Sequence, residues 1–365
     1  MELVTKALLR LDPTGSVLTS HHVALVKLAY TTDNVELALP LLEKSVVFYP
    51  ISKPSSMLEE LRLCDLELPP AEYITVDSDM TKSLSSTDVL QYDLLRGLCF
   101  IQRRSWQQAQ QALERVVTYP ARDNHSCSKI MLEAHNKWIL VGLLATGKTP
   151  TLPAITALGA QKVFTAAGKP YQALGKAFEE KTGQTLKTEF ESTGQPFFNE
   201  ENNLPLVRLV LQHYQRWQIL NLRQVYTKIS LEEIRERTQS AETAASLATV
   251  AEIETLIQQM IDERQLSGEI VHPTDGPAHL VFHDEPSAEL SETEFAHKML
   301  ATAQRLKALE PLVRATNERL GSSRDYVRYL VGQQKREKEG RREYDMSFMN
   351  QVEDEDLMGG VMADF

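Results

Sequence analysis

The chain has 365 residues, 42% of them hydrophobic and 24% charged, with a formal net charge of −11. That is enough for two or three domains of ordinary globular composition. The negative balance argues against broad affinity for nucleic acid or anionic membranes. The opening MELVTKALLRLDPTG carries acid and base early and no long apolar core, so a secretory signal is not expected. No apolar run approaches the roughly 20 residues that span a bilayer. Cys64, Cys99 and Cys127 are odd in number, far apart and form no CxxC pair, so neither a disulfide framework nor a cysteine zinc site is expected. The expected setting is cytoplasm and nucleus.

Residues 20–220 read almost entirely as helices of 12–20 residues, because Leu and Ala recur at helical spacing and strand-like alternation is rare. An internal repeat is visible at an offset of 70 residues: LAYTTDNVELALPLLEKSVVFYP (Leu28–Pro50) matches LCFIQRRSWQQAQQALERVVTYP (Leu98–Pro120). Both copies end VV-x-YP, and Tyr30 aligns with Phe100. Gly97, Phe100, Ala109, Leu113 and Pro120 of the second copy approximate the tetratricopeptide pattern, in which a small residue lets paired helices approach and a proline ends the second. The expectation is a stack of helical hairpins, each burying its apolar face on its neighbour. Breaks are expected at Ser52–Ser56, Pro69–Thr87, Lys148–Pro153 and Gly183–Asn203; the last is polar and turn-rich and reads as a linker between helices. These breaks give an N-terminal set of repeats over 1–84 and a second set over 85–225.

The segment GLLATGKT (Gly142–Thr149) satisfies G-x-x-x-x-G-K-[ST] in full. A phosphate loop needs a buried strand before it and a helix after it, so that backbone amides cradle the phosphates. Here Leu132, His135, Ile139 and Gly142/Leu143 have helical spacing, and Pro150 and Pro153 disrupt the helix that should open after Thr149. The expected structure is a helix ending at Thr146–Gly147 with glycine as its C-cap.

Residues 226–286 carry a different pattern. Ser230 stands three residues before Glu233, and Thr249 three before Glu252, so two capping boxes open two helices. GEIVH and AHLVF then flank Asp275-Gly276, a hairpin signal. Helix, helix and two-stranded wing make a winged helix. From Ile229 to Glu285 there are 3 Lys+Arg (Arg235, Arg237, Arg264) against 12 Asp+Glu, a net of −9. A surface that repels phosphate is a poor nucleic-acid reader, so the module is expected to bind protein. His272, His279 and His283, with Asp284, could in principle hold zinc, but exposed wing histidines are the expectation. No residue set points to catalysis, a cofactor or a small-molecule ligand. The interface candidates on the wing are Ile270, Val271, Leu280, Val281 and Phe282. Ile270, Leu280 and Phe282 are also expected to face the core in part. The outer strand of the hairpin is expected to present unpaired backbone groups to a neighbour's strand.

Residues 287–330 return to helical spacing. Phe295, Met299, Leu306, Leu309, Val313 and Leu320 approximate one face, with Phe295, Met299, Leu306 and Leu309 as docking candidates. Pro311 lies inside that pattern and is expected to kink or split the helix. Residues 331–365 form a charged tail, basic at Lys335–Arg342 and acidic at Glu353–Asp356, expected to be disordered.

Helical repeats, then an acidic winged helix, then a long helix is the layout of the PCI domain, a module shared by the proteasome lid, the COP-nine signalosome and translation initiation factor three. NLPLVRLVLQHYQRWQILNLRQVYTKISLEEIRER, ETLIQQMIDERQLSGEIVHPTDGPAHLVFHDEP and HKMLATAQRLKALE resemble the signalosome members of that family, as does WILVGLLATGKTPTLP followed by KPYQALGKAFEE. The likeness covers most of Gln91–Leu312. It implies a mostly α fold: a tetratricopeptide-like solenoid, a winged helix and a long C-terminal helix. It further implies a non-catalytic scaffold that aligns its winged helix with those of other PCI subunits and gives its last helix to a shared bundle. The zinc isopeptidase that removes a ubiquitin-like modifier from cullins would lie on another subunit. The alternative within the family is a scaffold subunit of the proteasome lid or of the initiation factor.

Overall fold

A computed structural model describes residues 1–50, 70–120, 127–180, 182–193, 195–241, 243–247, 249–263, 265–273, 277–283, 292–322, 324 and 326–332. The expected break at Ser52–Ser56, the Asp275-Gly276 turn, Asp284 and both charged clusters of the tail lie outside these residues. Twelve helices come first: α1 (Glu2–Leu11), α2 (Ser20–Thr31), α3 (Leu39–Leu42), α4 (Pro70–Tyr73), α5 (Ser86–Gln102), α6 (Trp106–Val117), α7 (Lys129–Thr146), α8 (Leu158–Ala167), α9 (Lys169–Glu179), α10 (Gly183–Thr193), α11 (Gln195–Glu200) and α12 (Leu204–Leu222). After them come β1 (Lys228–Ser230), α13 (Leu231–Arg237), α14 (Val250–Asp262), β2 (Gly268–Val271), β3 (His279–Phe282) and α15 (Glu292–Ser322). The contacts divide the chain into two units, Met1–Asp284 and Glu285–Phe365.

Within the first unit the helices pack serially, α2 on α5, α5 on α6, α6 on α7 and α7 on α9. The second sequence repeat is the helical hairpin α5–α6. α5 starts where Ser85 accepts the Asp88 N–H at 3.2 Å and Asp88 accepts the Ser85 N–H at 3.0 Å, a reciprocal cap. Phe100, Ala109 and Leu113 are fully buried. A Cβ placed on Gly97 would sit 2.9 Å from the Leu113 Cδ2, so the missing side chain is what lets the two helices close.

The first repeat departs from its copy. Its second helix, α3, is four residues long rather than 12–20, with Pro40 in its first turn. Gly97 corresponds to exposed Lys27, and buried Phe100 to exposed Tyr30. The VV-x-YP end of this repeat runs back along the chain, where Val17 and Phe48 form a parallel bridge. This repeat is tied to the next through Arg96, whose Nε donates to the Leu42 carbonyl at 2.6 Å and whose second guanidinium nitrogen donates to Lys44 O at 3.2 Å. Buried Asp93 lies between Arg96 at 3.9 Å and Arg115 at 3.6 Å. Burial raises its pKa, and the two guanidinium groups oppose that shift.

Gly183–Asn203 is not a linker. It forms α10 and α11, with Leu186 and Phe198 fully buried and Phe190 stacked on Phe198 at 6.1 Å. Leu186 and Phe190, one turn apart on α10, and Phe198 on α11 are the apolar positions that dock α10 on α9 and α11 on α12, and the threonines and glutamates between them mask that signal.

The winged helix is present as expected. Ser230 and Thr249 cap α13 and α14, accepting the Glu233 and Glu252 N–H at 3.2 and 3.3 Å. Its sheet has three strands rather than two, in the order β1-β3-β2, all antiparallel. Ile229, Leu231, Ile234, Ile253, Ile257, Met260, Leu266, Leu280 and Phe282 make its core, and Ile219 of α12 belongs to the same cluster. Val207, Val210, Leu211 and Tyr214 of α12 belong to the repeat core. One helix therefore serves both cores.

In the second unit α15 is continuous from Glu292 to Ser322, so Pro311 does not split it. A proline inside a helix removes a single N–H donor, and the turns on either side can carry the helix through.

Ile219→Ala removes atoms from the winged-helix core at its junction with the repeats and is expected to destabilise the fold by about 2–5 kcal/mol. All three tryptophans lie before Ile219, so fluorescence and circular dichroism should shift together in thermal melts; a winged-helix transition separate from the fluorescence change would contradict the shared-helix account. Burial lowers the pKa of His22, His135 and His213 to about 4. The unfolded chain, with histidines near the ordinary value of about 6.5, therefore binds more protons below that pH. Stability is expected to be full above about pH 6.5 and to fall toward about pH 4. His135, stacked on Phe164 at 4.4 Å, is the most direct check: His135→Leu should flatten the pH dependence of the melting temperature.

Candidate protein-interaction site

α13 begins directly after β1, and β3 pairs with β1 through Ile229↔Leu280 and with β2 through Ile270↔Leu280. Leu280, Val281 and Phe282 therefore lie on the central strand, with ladder partners on both sides. Leu280 and Phe282 are buried, Leu280 completely. These two belong to the core, and Val281 is half-buried. The open sheet edges are β2, carrying half-buried Ile270 and Val271, and β1. Sequence reasoning missed β1 because three residues, Lys-Ile-Ser, give no period; only its pairing with β3 makes it a strand.

The three histidines go to separate places. His272 Nε2 lies 3.3 Å from Glu254, His283 Nε2 lies 4.0 Å from Glu269, and His279 Nδ1 lies 3.4 Å from the Pro277 carbonyl oxygen. Among the described residues no group of His, Cys, Asp and Glu converges on a metal position.

Charge on the winged helix agrees with protein rather than phosphate as partner. α14 contains no Lys or Arg and carries Glu252, Glu254 and Asp262. Arg237 of α13 is taken up by Glu233, its Nε donating at 2.9 Å, and lies over the Tyr226 ring at 5.2 Å.

The candidates on α15 are arranged differently. Phe295, Met299 and Leu306 are exposed, as are Val313, Leu320 and Val327 further along, while Leu309 is half-buried. Met299, Leu306, Val313, Leu320 and Val327 fall at strict seven-residue intervals. Phe295, Leu309 and Leu330 fall on the other core position of the same heptad. Such a period holds an apolar seam on one side only if helices supercoil around each other. In the sequence the same spacing continues past the end of α15 at Val327 and Leu330. An exposed apolar seam of this kind is a candidate association surface.

GLLATGKT forms the end of a helix, as expected. α7 runs to Thr146, and Gly147 comes next at φ +68°, its N–H bonded to Leu143 O at 3.0 Å. A Cβ at Gly147 would lie 2.7 Å from the Trp217 indole, and one at Gly142 would lie 2.6 Å from Pro150. The Thr149 N–H, which a phosphate would need, donates to Glu179 Oε1 at 2.6 Å. The motif is a clasp between α7, α9 and α12. Gly147→Ala is expected to cost at least about 1 kcal/mol from the left-handed backbone alone, and more from the indole contact. Lys148→Ala should stay within about 0.5 kcal/mol of the wild type. Neither melting temperature should respond to magnesium-ATP, and a magnesium-dependent shift abolished by Lys148→Ala would restore the nucleotide reading.

The chain matches the family model described as COP9 signalosome complex subunit 3, N-terminal helical repeats, over residues 1–158. It is similar over its whole length to COP9 signalosome complex subunit 3 of Neurospora crassa, at 50% identity and covering 74% of that protein. The subunit 3 of Emericella nidulans is 27% identical over 92% of this chain and 66% of its own length. That of Arabidopsis thaliana is 28% identical over 69% of this chain and 56% of its own length. The chain thus spans between about half and three quarters of these relatives.

Proposed function

This chain belongs to the family of COP9 signalosome complex subunit 3, and on that premise we propose that it is a non-catalytic scaffold subunit of the signalosome. In this reading it supports the removal of a ubiquitin-like modifier from cullins, and so the regulation of cullin-RING ubiquitin ligases, by holding other subunits in place. The observation that carries the reading is the exposed heptad seam of α15 from Phe295 to Leu320. Its partners are the C-terminal helices of other PCI subunits, and through them, indirectly, the zinc isopeptidase subunit. The open edges β1 and β2 offer a second contact, by strand addition from a neighbouring winged helix. Ile270 and Val271 lie at that edge; Leu280 and Phe282 support it from the core. Among the described residues no helix is long and apolar enough to cross a membrane, and we place the protein in cytoplasm and nucleus with its complex.

Leu306→Glu with Val313→Glu puts two charges into the seam without touching either core of the first unit. The double variant should keep its circular dichroism and melting temperature, while recovery of other PCI subunits in a native affinity purification falls about tenfold, as expected when a buried apolar contact is replaced by an unpaired charge. Stoichiometric recovery with the double variant would rule out α15 as the attachment.

A further inference from the structure

Between Glu133 and Glu179 the sequence contains no Asp or Glu and five lysines, a local charge of +5 in a chain of net −11. Lys137 is buried and paired with Glu133 at 2.8 Å. The other four, Lys148, Lys162, Lys169 and Lys176, are exposed, and none is in an ion pair among the described residues. The fold gathers them. Lys169 and Lys176 are seven residues apart on α9, hence on one face about two turns apart. Gly175 is in contact with Thr149, where a Cβ would lie 2.6 Å from its Oγ1, so the sequence neighbours of Lys148 and Lys176 touch. Lys162 sits one turn along α8 from Leu158. The loop before α8 is pinned by Gln161, whose Nε2 donates to Thr156 O at 2.9 Å. That loop holds Ile155 at 79% and Leu158 at 74% exposure. Two large apolar side chains this open, on an anchored loop leading into α8, which packs on α9, give these elements exposed apolar and unpaired basic groups distinct from those of the winged helix and α15.

We propose that this face, Lys148 with Ile155–Lys176, docks an acidic segment of another protein, one bearing several Asp or Glu with one or two large apolar residues. Charge complementarity carries the choice of partner: clustered unpaired cations in an otherwise acidic protein attract an acidic chain while the rest of the surface repels misplaced ones. Nucleic acid fits poorly, because the stretch contains no arginine and its aromatic residues Trp138, Phe164, Tyr171 and Phe178 are buried, leaving neither forked donors nor stacking faces. An anionic membrane fits poorly because the whole chain at −11 is repelled from it. Glu179, the nearest acid in sequence, is engaged with the Thr149 amide and limits the patch at one end.

The test uses the full chain and a fluorescent synthetic peptide of about 20 residues, helical, with glutamates on one face and two leucines one turn apart. Fluorescence anisotropy should show saturable binding that weakens about tenfold in K162A/K169A/K176A, the scale expected for three lost exposed charge pairs. It should weaken similarly when salt is raised from about 0.05 to 0.3 M. I155S/L158S should weaken binding without changing its salt dependence, and both variants should keep the wild-type circular dichroism. No saturable binding, equal affinity in the lysine variant, or tighter binding of a single-stranded RNA or an anionic vesicle than of the peptide would overturn the proposal. Because α15 is untouched, subunit recovery through the heptad seam stays a separate readout.

Discussion

Everything in the first unit depends on α12 being one unbroken helix with two buried ends. Its first half, through Val207, Val210, Leu211 and Tyr214, completes the repeat core; its second half sends Ile219 into the winged helix. A helix is stiff over this length, so the winged helix is carried by the solenoid rather than hung from a linker. Tyr214 Oη donates to the Glu180 carbonyl at 2.9 Å, and Gln215 Nε2 donates to Thr238 Oγ1 at 3.2 Å. Consecutive residues of α12 thus bond one to the repeats and the next to the winged helix. A joint held this way has little freedom left to lose, so any contact made by the winged helix would carry a small ordering cost.

The same helix explains why the glycine-lysine-threonine segment matters without touching a nucleotide. Trp217 of α12 lies on Gly147, where no side chain fits, and Pro150 lies on Gly142. Small residues here serve close packing of helices, the role Gly97 plays against Leu113 one hairpin earlier. Polar groups reinforce the arrangement: Tyr171 Oη donates to Glu201 at 2.5 Å and accepts from Asn203 Nδ2 at 2.7 Å, while Asn136 donates to the same Glu201 at 3.1 Å. α7, α9 and the start of α12 are joined through one carboxylate, and partly buried networks of this kind fix a unique register more than they add stability.

Charge divides the surface by function. The winged helix is acidic and its α14 has no cation to offer; the stretch between Glu133 and Glu179 is basic and acid-free. The α15 seam is apolar over several turns. These surfaces differ in chemistry, so a ligand suited to one would be disfavoured by the others. The exposed seam also predisposes an isolated subunit to associate nonspecifically, which ties its solubility to assembly.

By itself the sequence determined the features set by local rules. Helical spacing gave the repeats, Ser230 and Thr249 gave the starts of α13 and α14, Gly147 gave the end of α7, and charge gave a winged helix unsuited to nucleic acid. These were legible because a cap, a period or a net charge is complete within a few neighbouring residues. The features decided by tertiary structure depend on partners far away in the chain. β1 exists because β3 pairs with it, and that pairing makes β3, with Leu280 and Phe282, the central strand rather than an edge. α10 and α11 exist because α9 and α12 bury Leu186 and Phe198. α3 is short in a repeat that has Lys27 where its copy has Gly97, and Pro40 in its first turn. In each case a short segment with an ambiguous local preference was settled by long-range burial, which exceeds local propensity whenever the apolar surface removed from water is large.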